Sequence, residues 1–390
     1  MVRPRISKRQ VELPGANIVR LLKIAEEDRE IISFGPGEPD FSAPEHIREA
    51  VKKAMDSEMT HYSPASGRSE LKEAIIRKLR KENGINAGDE NIIVTCGSME
   101  GIFLSLAALI DPGEEVLVPD PGFLGYMPTV EILNGYPVSV RLSFENGFDM
   151  DGDTIRESIK DPERVKAMII NTPSNPTGTV LRKRILEEIA EVAVENDIVI
   201  LSDEAYEKLI YGERHVSIGS LNGMEDYVIT FHSFSKTFAM PGFRLGYACG
   251  PEDIIKAMVK LHPYTTVCAP TMSQIAGAEA LTNKESERCI EEMRRSYDER
   301  RKLILKRVRE IEGFDVLEPR GAFYLFPRFN YRMKSVELCE YLLDKAKVAV
   351  VPGSDFGRYG EGFIRLSYAT SLERIKEGMK RMKSALEELR

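Results

Sequence analysis

The chain has 390 residues, of which 42% are hydrophobic and 30% charged, and its formal net charge is −8. That composition excludes a collagenous or disordered chain, and the acidity argues against a nucleic-acid partner, which favours a basic patch. The five cysteines form no CxxC pair and the five histidines show no ligand spacing, so there is no metal motif and the thiols fit a reducing compartment.

The length exceeds what one hydrophobic core usually holds, so two subdomains are expected. They are placed at 45–284 (large) and at 1–44 with 285–390 (small). The basic start MVRPRISKRQ is followed by no apolar stretch of signal-peptide length. The most apolar window, Gly101–Ile110, is about half of a bilayer span. The expectation is a soluble, cytoplasmic protein without a membrane partner.

Taken in chain order, Asn91–Val94, Glu115–Val118, Ala167–Ile170, Ile198–Leu201 and Tyr227–Phe231 are short, β-branched runs bounded by Gly, Pro, Asp or Asn. They predict buried strands. Between them lie helical patterns such as Lys183–Asn196, where Ile185, Leu186, Ile189, Ala190 and Ala193 recur at three- and four-residue steps. The alternation predicts an α/β large domain, a mostly parallel mixed sheet with helices on both faces. Ligands of such sheets sit beyond the carboxyl ends of the strands, so the loops there carry the chemistry.

The first such loop, Thr95–Gly101, puts Gly97 and Ser98 at the opening of a helical stretch, where free N–H groups suit a phosphate. Many strand–helix turns share that pattern. Next, Asn171–Gly178 (NTPSNPTG) is stiffened by two X-Pro bonds, either of which can be cis, and can aim the Asn175 amide at a ligand. Plain turn chemistry serves equally well. In Ser202–Tyr206 (SDEAY), Asp203 suits a protonated pyridine nitrogen and Tyr206 a ring oxygen, although a helix N-cap aspartate is the commoner origin of such a residue. Ser233–Lys236 (SFSK), with Arg244 eight residues on, sets a lysine on a loop beside a cation and two hydroxyls. That arrangement suits a Schiff base to an aldehyde cofactor bearing a phosphate, and the cation lowers the lysine pKa. Alone, Lys236 reads as a surface lysine.

The last hundred residues predict an α+β unit. It has a charged helix over Glu285–Glu310, a strand-like pair around Phe314–Leu317 and Ala322–Phe326, then Val348–Pro352 and Phe363–Ser367. A final helix carries its apolar stripe on Leu372, Ile375, Met379, Met382 and Leu386, and the first forty-odd residues return to pack on this unit. Arg365 is a lone charge in an apolar strand; a substrate carboxylate or an internal Asp or Glu is equally suited as its partner.

Together these segments resemble class I aminotransferases of PLP fold type I, in the aspartate/aromatic subgroup, across essentially the whole chain. The motifs are GEPDF (Gly37–Phe41), HYSP (His61–Pro64), PSNPTG (Pro173–Gly178), SDEAY (Ser202–Tyr206), SFSKTFAMPGFRLGY (Ser233–Tyr247), GAFY (Gly321–Tyr324) and FIRLSYA (Phe363–Ala369). The resemblance implies that Lys236 holds pyridoxal phosphate covalently and moves the substrate Cα proton. It implies that Asp203 pairs with the ring nitrogen, that Tyr206 and Asn175 meet the phenolic oxygen, and that Ser233, Ser235, Arg244, Gly97 and Ser98 hold the phosphate. Phe123 falls where an aromatic ring covers the cofactor, beside Met99. Tyr62 would reach the phosphate of a neighbouring subunit in a homodimer. Arg365, with Gly37, Asn175 and Tyr324 nearby, would bind the substrate.

Met99 stands where aspartate-preferring relatives of this subgroup often carry a lysine, and it offers no charge. With Phe123 and Tyr324 it favours aromatic or large apolar amino acids as donors and 2-oxoglutarate as acceptor. Aspartate or alanine as donor, and a PLP-dependent carbon–sulfur β-lyase, are the alternatives; core packing is the bland reading of Met99.

Overall fold

The computed structural model describes residues 30–389 and, before them, residues 6, 7, 17, 20, 23, 24, 27 and 28. Its centre is a seven-stranded sheet of β1 (Ile92–Thr95), β2 (Glu115–Asp120), β3 (Tyr136–Arg141), β4 (Val165–Asn171), β5 (Val199–Asp203), β6 (Val228–Ser233) and β7 (Gly246–Cys249), in the order β1-β7-β6-β5-β4-β2-β3. The contacts from β6 through β5, β4 and β2 to β3 are parallel, whereas β7 runs antiparallel to both β1 and β6. The sheet is therefore mostly parallel but mixed, as expected. Its central strands are buried along nearly their whole length, which is why they read as continuous apolar runs rather than alternating ones.

Two strands of this sheet are additional to the sequence reading. Tyr136–Arg141 lies at the sheet edge with a half-exposed pattern and a proline inside it. Gly246–Cys249 reads GYAC and has no β-branched residue. Its glycine is needed for contact: a Cβ at Gly246 would sit 2.6 Å from the Ser98 amide nitrogen. The helix over Lys183–Asn196 forms as predicted and buries Ile185, Leu186, Ile189, Ala190 and Ala193 against the sheet core.

In the C-terminal part, α-helices Glu285–Arg309 and Leu372–Glu387 pack on short strands, and the predicted stripe residues Ile375, Met379, Met382 and Leu386 join one core with Ile32 and Phe34. The predicted pair around Phe314 and Ala322 does not form. Phe314–Asp315 instead pairs with Arg328–Phe329, and Tyr324–Leu325 pairs with Ile364–Ser367. Val348–Pro352 divides in two. Val348–Ala349 pairs parallel with Ile32–Ser33, and Val351–Pro352 pairs antiparallel with Ile364–Ser367. Isolated apolar runs give strand positions but not partners. The expected return of the N-terminal segment is met at Ile32–Phe34; most of what precedes residue 30 lies outside the described residues.

Candidate active site

Register puts the ends of neighbouring strands side by side: Asn171 opposite Asp203, Asp203 opposite Phe231, and Ser233 opposite Gly246. The residues that end or follow these strands converge on a cavity of about 260 Å³. Gly37, Ser98, Met99, Phe123, Asn175, Asp203, Tyr206, Ser233, Ser235, Lys236, Arg244, Tyr324 and Arg365 all line it. Gly97 lies directly behind, where a Cβ would sit 2.6 Å from Arg244 Nη2, and its φ of +84° is a glycine conformation. Tyr62 does not line the cavity and is 83% exposed.

Lys236 stands in a helical turn, Phe234–Thr237, and not on the loop expected. The Ser233 hydroxyl caps that turn by accepting from the Ser235 amide at 3.2 Å. Lys236 Nζ donates to the Gly37 carbonyl and has no carboxylate partner among the described residues. Its pKa is lowered to about 8, first by burial and only then by the Arg365 and Arg244 cations. Expecting the neighbouring cation to lower it was right in direction, but burial is the larger cause.

Asp203 is buried and forms no ion pair among the described residues. Its Oδ2 accepts from the Tyr126 hydroxyl at 2.7 Å and its Oδ1 from the Ala205 amide at 3.1 Å. Burial raises its carboxyl pKa against the opposing pull of the Tyr126 bond. No helix starts here; the aspartate closes a short turn rather than capping a helix. The Tyr206 and Tyr324 hydroxyls meet at 2.7 Å.

Arg365 is 1% exposed and makes no ion pair among the described residues. Nη1 donates to Asn175 Oδ1 at 3.0 Å and Nη2 to the Gly35 carbonyl at 2.6 Å, while Nε has no partner. The guanidinium lies between the Tyr324 ring at 4.5 Å and the Phe356 ring at 4.9 Å. Such stacking fixes its plane without neutralising its charge. The two readings left open for Arg365 thus separate: among the described residues no Asp or Glu forms an ion pair with it, and Asp355 acts on it only as a nearby charge. Asn175 is held in turn, its amide N–H donating to Asn171 Oδ1 at 2.8 Å, and both X-Pro bonds of the loop, at Pro173 and Pro176, are cis.

Arg244 is exposed at the rim, donating to the carbonyls of Pro241 (3.0 Å) and Cys96 (3.4 Å). The site therefore holds one buried anion and one buried cation that face the same cavity, and neither is ion-paired by the described residues. An isolated buried charge is costly, so each marks a place where a ligand of opposite charge would be stabilised.

Sequence reasoning missed Tyr126, Phe356 and the carboxylates behind Asp203. Tyr126 is the first residue of a helix, Tyr126–Ile132, and nothing local distinguishes it from core packing. Behind Asp203, Glu204 accepts from Ser202 (2.9 Å), Ser217 (2.7 Å) and the His215 ring (2.6 Å), while Glu207 meets Lys78, Asn83 and His232. Glu204, Glu207 and His215 lie close enough to hold a metal ion; their carboxylates and His215 Nε2 are already engaged with these partners, while His215 Nδ1 has no hydrogen-bond partner. A larger cleft of about 670 Å³ opens beside this cluster. Apart from Lys284, its lysines, arginine and glutamates pair among themselves, as Lys78–Glu207, Lys81–Glu287, Lys208–Glu82 and Arg294–Glu291. The smaller cavity, with its unmatched charges, is the better candidate. Among the described residues no helix is long and apolar enough to cross a membrane.

Comparison with known proteins agrees with this geometry. The model of the family "Aminotransferase class I and II" matches residues 29–382. An aspartate aminotransferase of Pyrococcus abyssi is 47% identical over 376 residues, covering 96% of each chain. Aromatic-amino-acid aminotransferase 2 of Thermococcus litoralis is 45% identical over 386 residues, covering 98% of each. The crystal structure of an aromatic aminotransferase from Pyrococcus horikoshii superposes with a TM-score of 0.89 at 45% identity, covering 95% of this chain and 99% of that one.

Proposed function

Because the chain belongs to the class I and II aminotransferase family and is a pyridoxal-phosphate-dependent transaminase, we propose that the cavity around Lys236 binds the cofactor and that Arg365 orients the substrate. The supporting observation is the pair of unmatched buried charges, Asp203 and Arg365, on either side of a lysine amine whose pKa is lowered to about 8. The donors fit pyridoxal phosphate: an amine for its aldehyde, a carboxylate without an ion pair among the described residues for its ring nitrogen, and, for its phosphate, a glycine turn that a Cβ would fill, beside Arg244.

When bound, the cofactor supplies an aldehyde that takes up the amino group and a protonated ring that accepts the electron pair freed at Cα. Asp203 keeps the proton on the ring nitrogen, and Tyr126 holds Asp203. Tyr206 and Asn175 serve the ring oxygen, and Phe123 covers the ring face. Gly97, Ser98, Ser233, Ser235 and Arg244 hold the phosphate. Arg365, with its plane fixed by two aromatic rings, takes the α-carboxylate and sets the direction of the Cα–H bond. Lys236 Nζ, largely deprotonated above pH 8, would accept the Cα proton and pass it to the carbon of the cofactor's aldehyde. A small domain of residues 1–44 with 285–390 would close on 45–284 and exclude water. Tyr62, exposed in one subunit, serves the phosphate of the other in a cytoplasmic homodimer.

For the donor, aromatic or large apolar amino acids are favoured, with 2-oxoglutarate as acceptor. Met99, Phe123 and Leu124 line the cavity, and among the described residues its only cations are Lys236, Arg244 and Arg365. All three have duties above, and Met99 offers no charge to the side-chain carboxylate of aspartate, which counts against aspartate as donor. The relatives divide between aspartate and aromatic names, and the carbon–sulfur lyase alternative is not favoured. The deciding measurement follows the cofactor absorption band of the purified holoenzyme after mixing with Phe, Tyr, Asp, Ala, Glu or Leu. Fast conversion by Phe, Tyr and Glu with slow conversion by Asp is expected; fast conversion by Asp refutes the argument from Met99.

Substituting Arg365→Gln is expected to raise KM for every donor by about 30-fold or more, as for truncation of one member of a buried charge pair. The ligand-free protein should melt no lower than the parent, because an unneutralised buried charge has been removed. Steady-state kinetics and calorimetry read the two effects. A KM change confined to one donor would assign Arg365 to side-chain selection instead.

A further inference from the structure

Glu100 and His262 belong to none of the motifs, yet they occupy the space between the glycine turn and the loop that carries Tyr62. Glu100 stands in the first turn of the helix Ser98–Leu109 and is partly buried. Its Oε2 accepts from the Cys96 amide at 2.6 Å, and its Oε1 accepts from the Thr266 hydroxyl at 2.6 Å. His262 is fully buried, with Nε2 3.2 Å from Glu100 Oε2 and Nδ1 2.7 Å from the Ala65 carbonyl. A backbone carbonyl has no proton to give, and the carboxylate oxygen is already receiving an amide proton. A ring with acceptors on both nitrogens carries both protons. The pair is thus an imidazolium against a carboxylate. Consistently, the Glu100 pKa lies at about 2, where the His262, Cys96 and Thr266 hydrogen bonds outweigh the opposing effect of burial. That of His262 is raised to about 10, where the hydrogen bonds with Cys96, Glu100 and Ala65, in that order, outweigh burial.

Each end of the link meets an element that is otherwise fixed. The Ser66 carbonyl accepts from the Val94 amide at 3.0 Å, tying the loop to β1, and the Thr271 hydroxyl donates to the His61 carbonyl at 2.7 Å. The turn is closed by Thr95, whose hydroxyl donates to the Gly97 carbonyl at 2.9 Å. What sets the turn relative to the loop is the run from Ala65 through His262 and Glu100 to the Cys96 amide. We propose that Glu100 and His262 are a positioning pair for the phosphate end of the site, holding the Thr95–Ser98 turn in register with the loop that presents Tyr62. The inference rests on the phosphate reading given above. Neither residue lines the cavity, so neither is catalytic.

The test is equilibrium dialysis of the holoenzyme, giving the pyridoxal phosphate Kd for the parent, Glu100→Gln, His262→Gln and the double variant, with Arg244→Ala as control. Each single variant is expected to raise Kd by about tenfold, and the double variant by no more than the larger single effect, because the two act as one unit. At saturating cofactor the donor KM should stay within about twofold of the parent. If both single variants keep the parental Kd while Arg244→Ala weakens it, the positioning pair is overturned and the phosphate site stands. If Arg244→Ala is also without effect, the phosphate site itself is wrong. Effects that add in the double variant overturn the pair as a unit. Glu100→Gln keeps the side-chain shape and decides the question through Kd if His262→Gln does not fold.

Discussion

Replacing Lys236 by alanine is expected to lower kcat by on the order of 10⁵-fold, comparable to loss of the nucleophile in other enzymes that work through one, while the fold survives. Among the described residues the amine has a single hydrogen-bond partner, the Gly37 carbonyl, besides the Tyr206 and Phe323 rings about it, and it lies at a cavity it does not fill, so its removal breaks no hydrogen-bond network. The ligand-free variant should be at least as stable as the parent at pH 7. The sign follows from the pKa. Unfolded, a lysine titrates near 10.4; folded, Lys236 titrates at about 8. Between those values the unfolded chain binds more protons, so Lys236 opposes folding fully below about pH 8, and the penalty fades as pH rises towards the unfolded value. Alanine removes that penalty. For the same reason, cofactor uptake by the ligand-free parent should rise about tenfold per pH unit below 8 and level off above it. Stopped-flow absorbance reads the uptake, and coupled assay reads kcat. A Lys236→Ala variant that keeps more than about one hundredth of parental turnover would exclude Lys236 as the proton carrier.

How much of this was legible beforehand depended on whether a residue's role was local. Lys236, Asp203 and Asn175 each follow a strand whose apolar run is plain in the sequence, so the doubly wound pattern alone sends them to one edge of the sheet. Arg365 was legible as an anomaly, a charge in an apolar strand, but its partner was not. Excluding an internal carboxylate required seeing the Gly35 carbonyl and Asn175 Oδ1 in place. Tyr126 was invisible because its duty is defined by Asp203, 77 positions away, while its own neighbourhood reads as an ordinary helix start. Glu100 and His262 were hidden in the same way, being separated by 162 positions. In the C-terminal part the strands were placed well and paired wrongly, since two-residue strands carry too little alternation to specify a partner.

Asp203→Asn is the second large effect expected, with kcat lower by about 10³-fold, on the scale of removing one preorganised electrostatic partner. Asparagine keeps the size of the side chain and can still meet the Tyr126 hydroxyl, so packing is preserved and the negative charge alone is lost. The carboxyl is buried and held by one hydroxyl and one amide, with no ion pair among the described residues. Its charge in the ligand-free protein is thus maintained against burial, which raises its pKa. A protonated ring nitrogen supplies what the protein omits, and the proton it holds is what lets the ring accept electrons from Cα. Tyr126→Phe should cost less, about tenfold or a few tens, because it removes one hydrogen bond to a charged group and leaves the charge. The double variant Asp203→Asn/Tyr126→Phe should then be scarcely worse than Asp203→Asn, since Tyr126 acts only through the carboxylate. Full additivity of the two effects would instead give Tyr126 a role of its own in the cavity it lines. The cofactor absorption separates chemistry from binding here. Asp203→Asn is expected to retain cofactor and to shift the pH at which its band changes, because the ring nitrogen loses its proton more readily without the carboxylate. A variant with parental band and parental turnover would show that the ring nitrogen does not face Asp203.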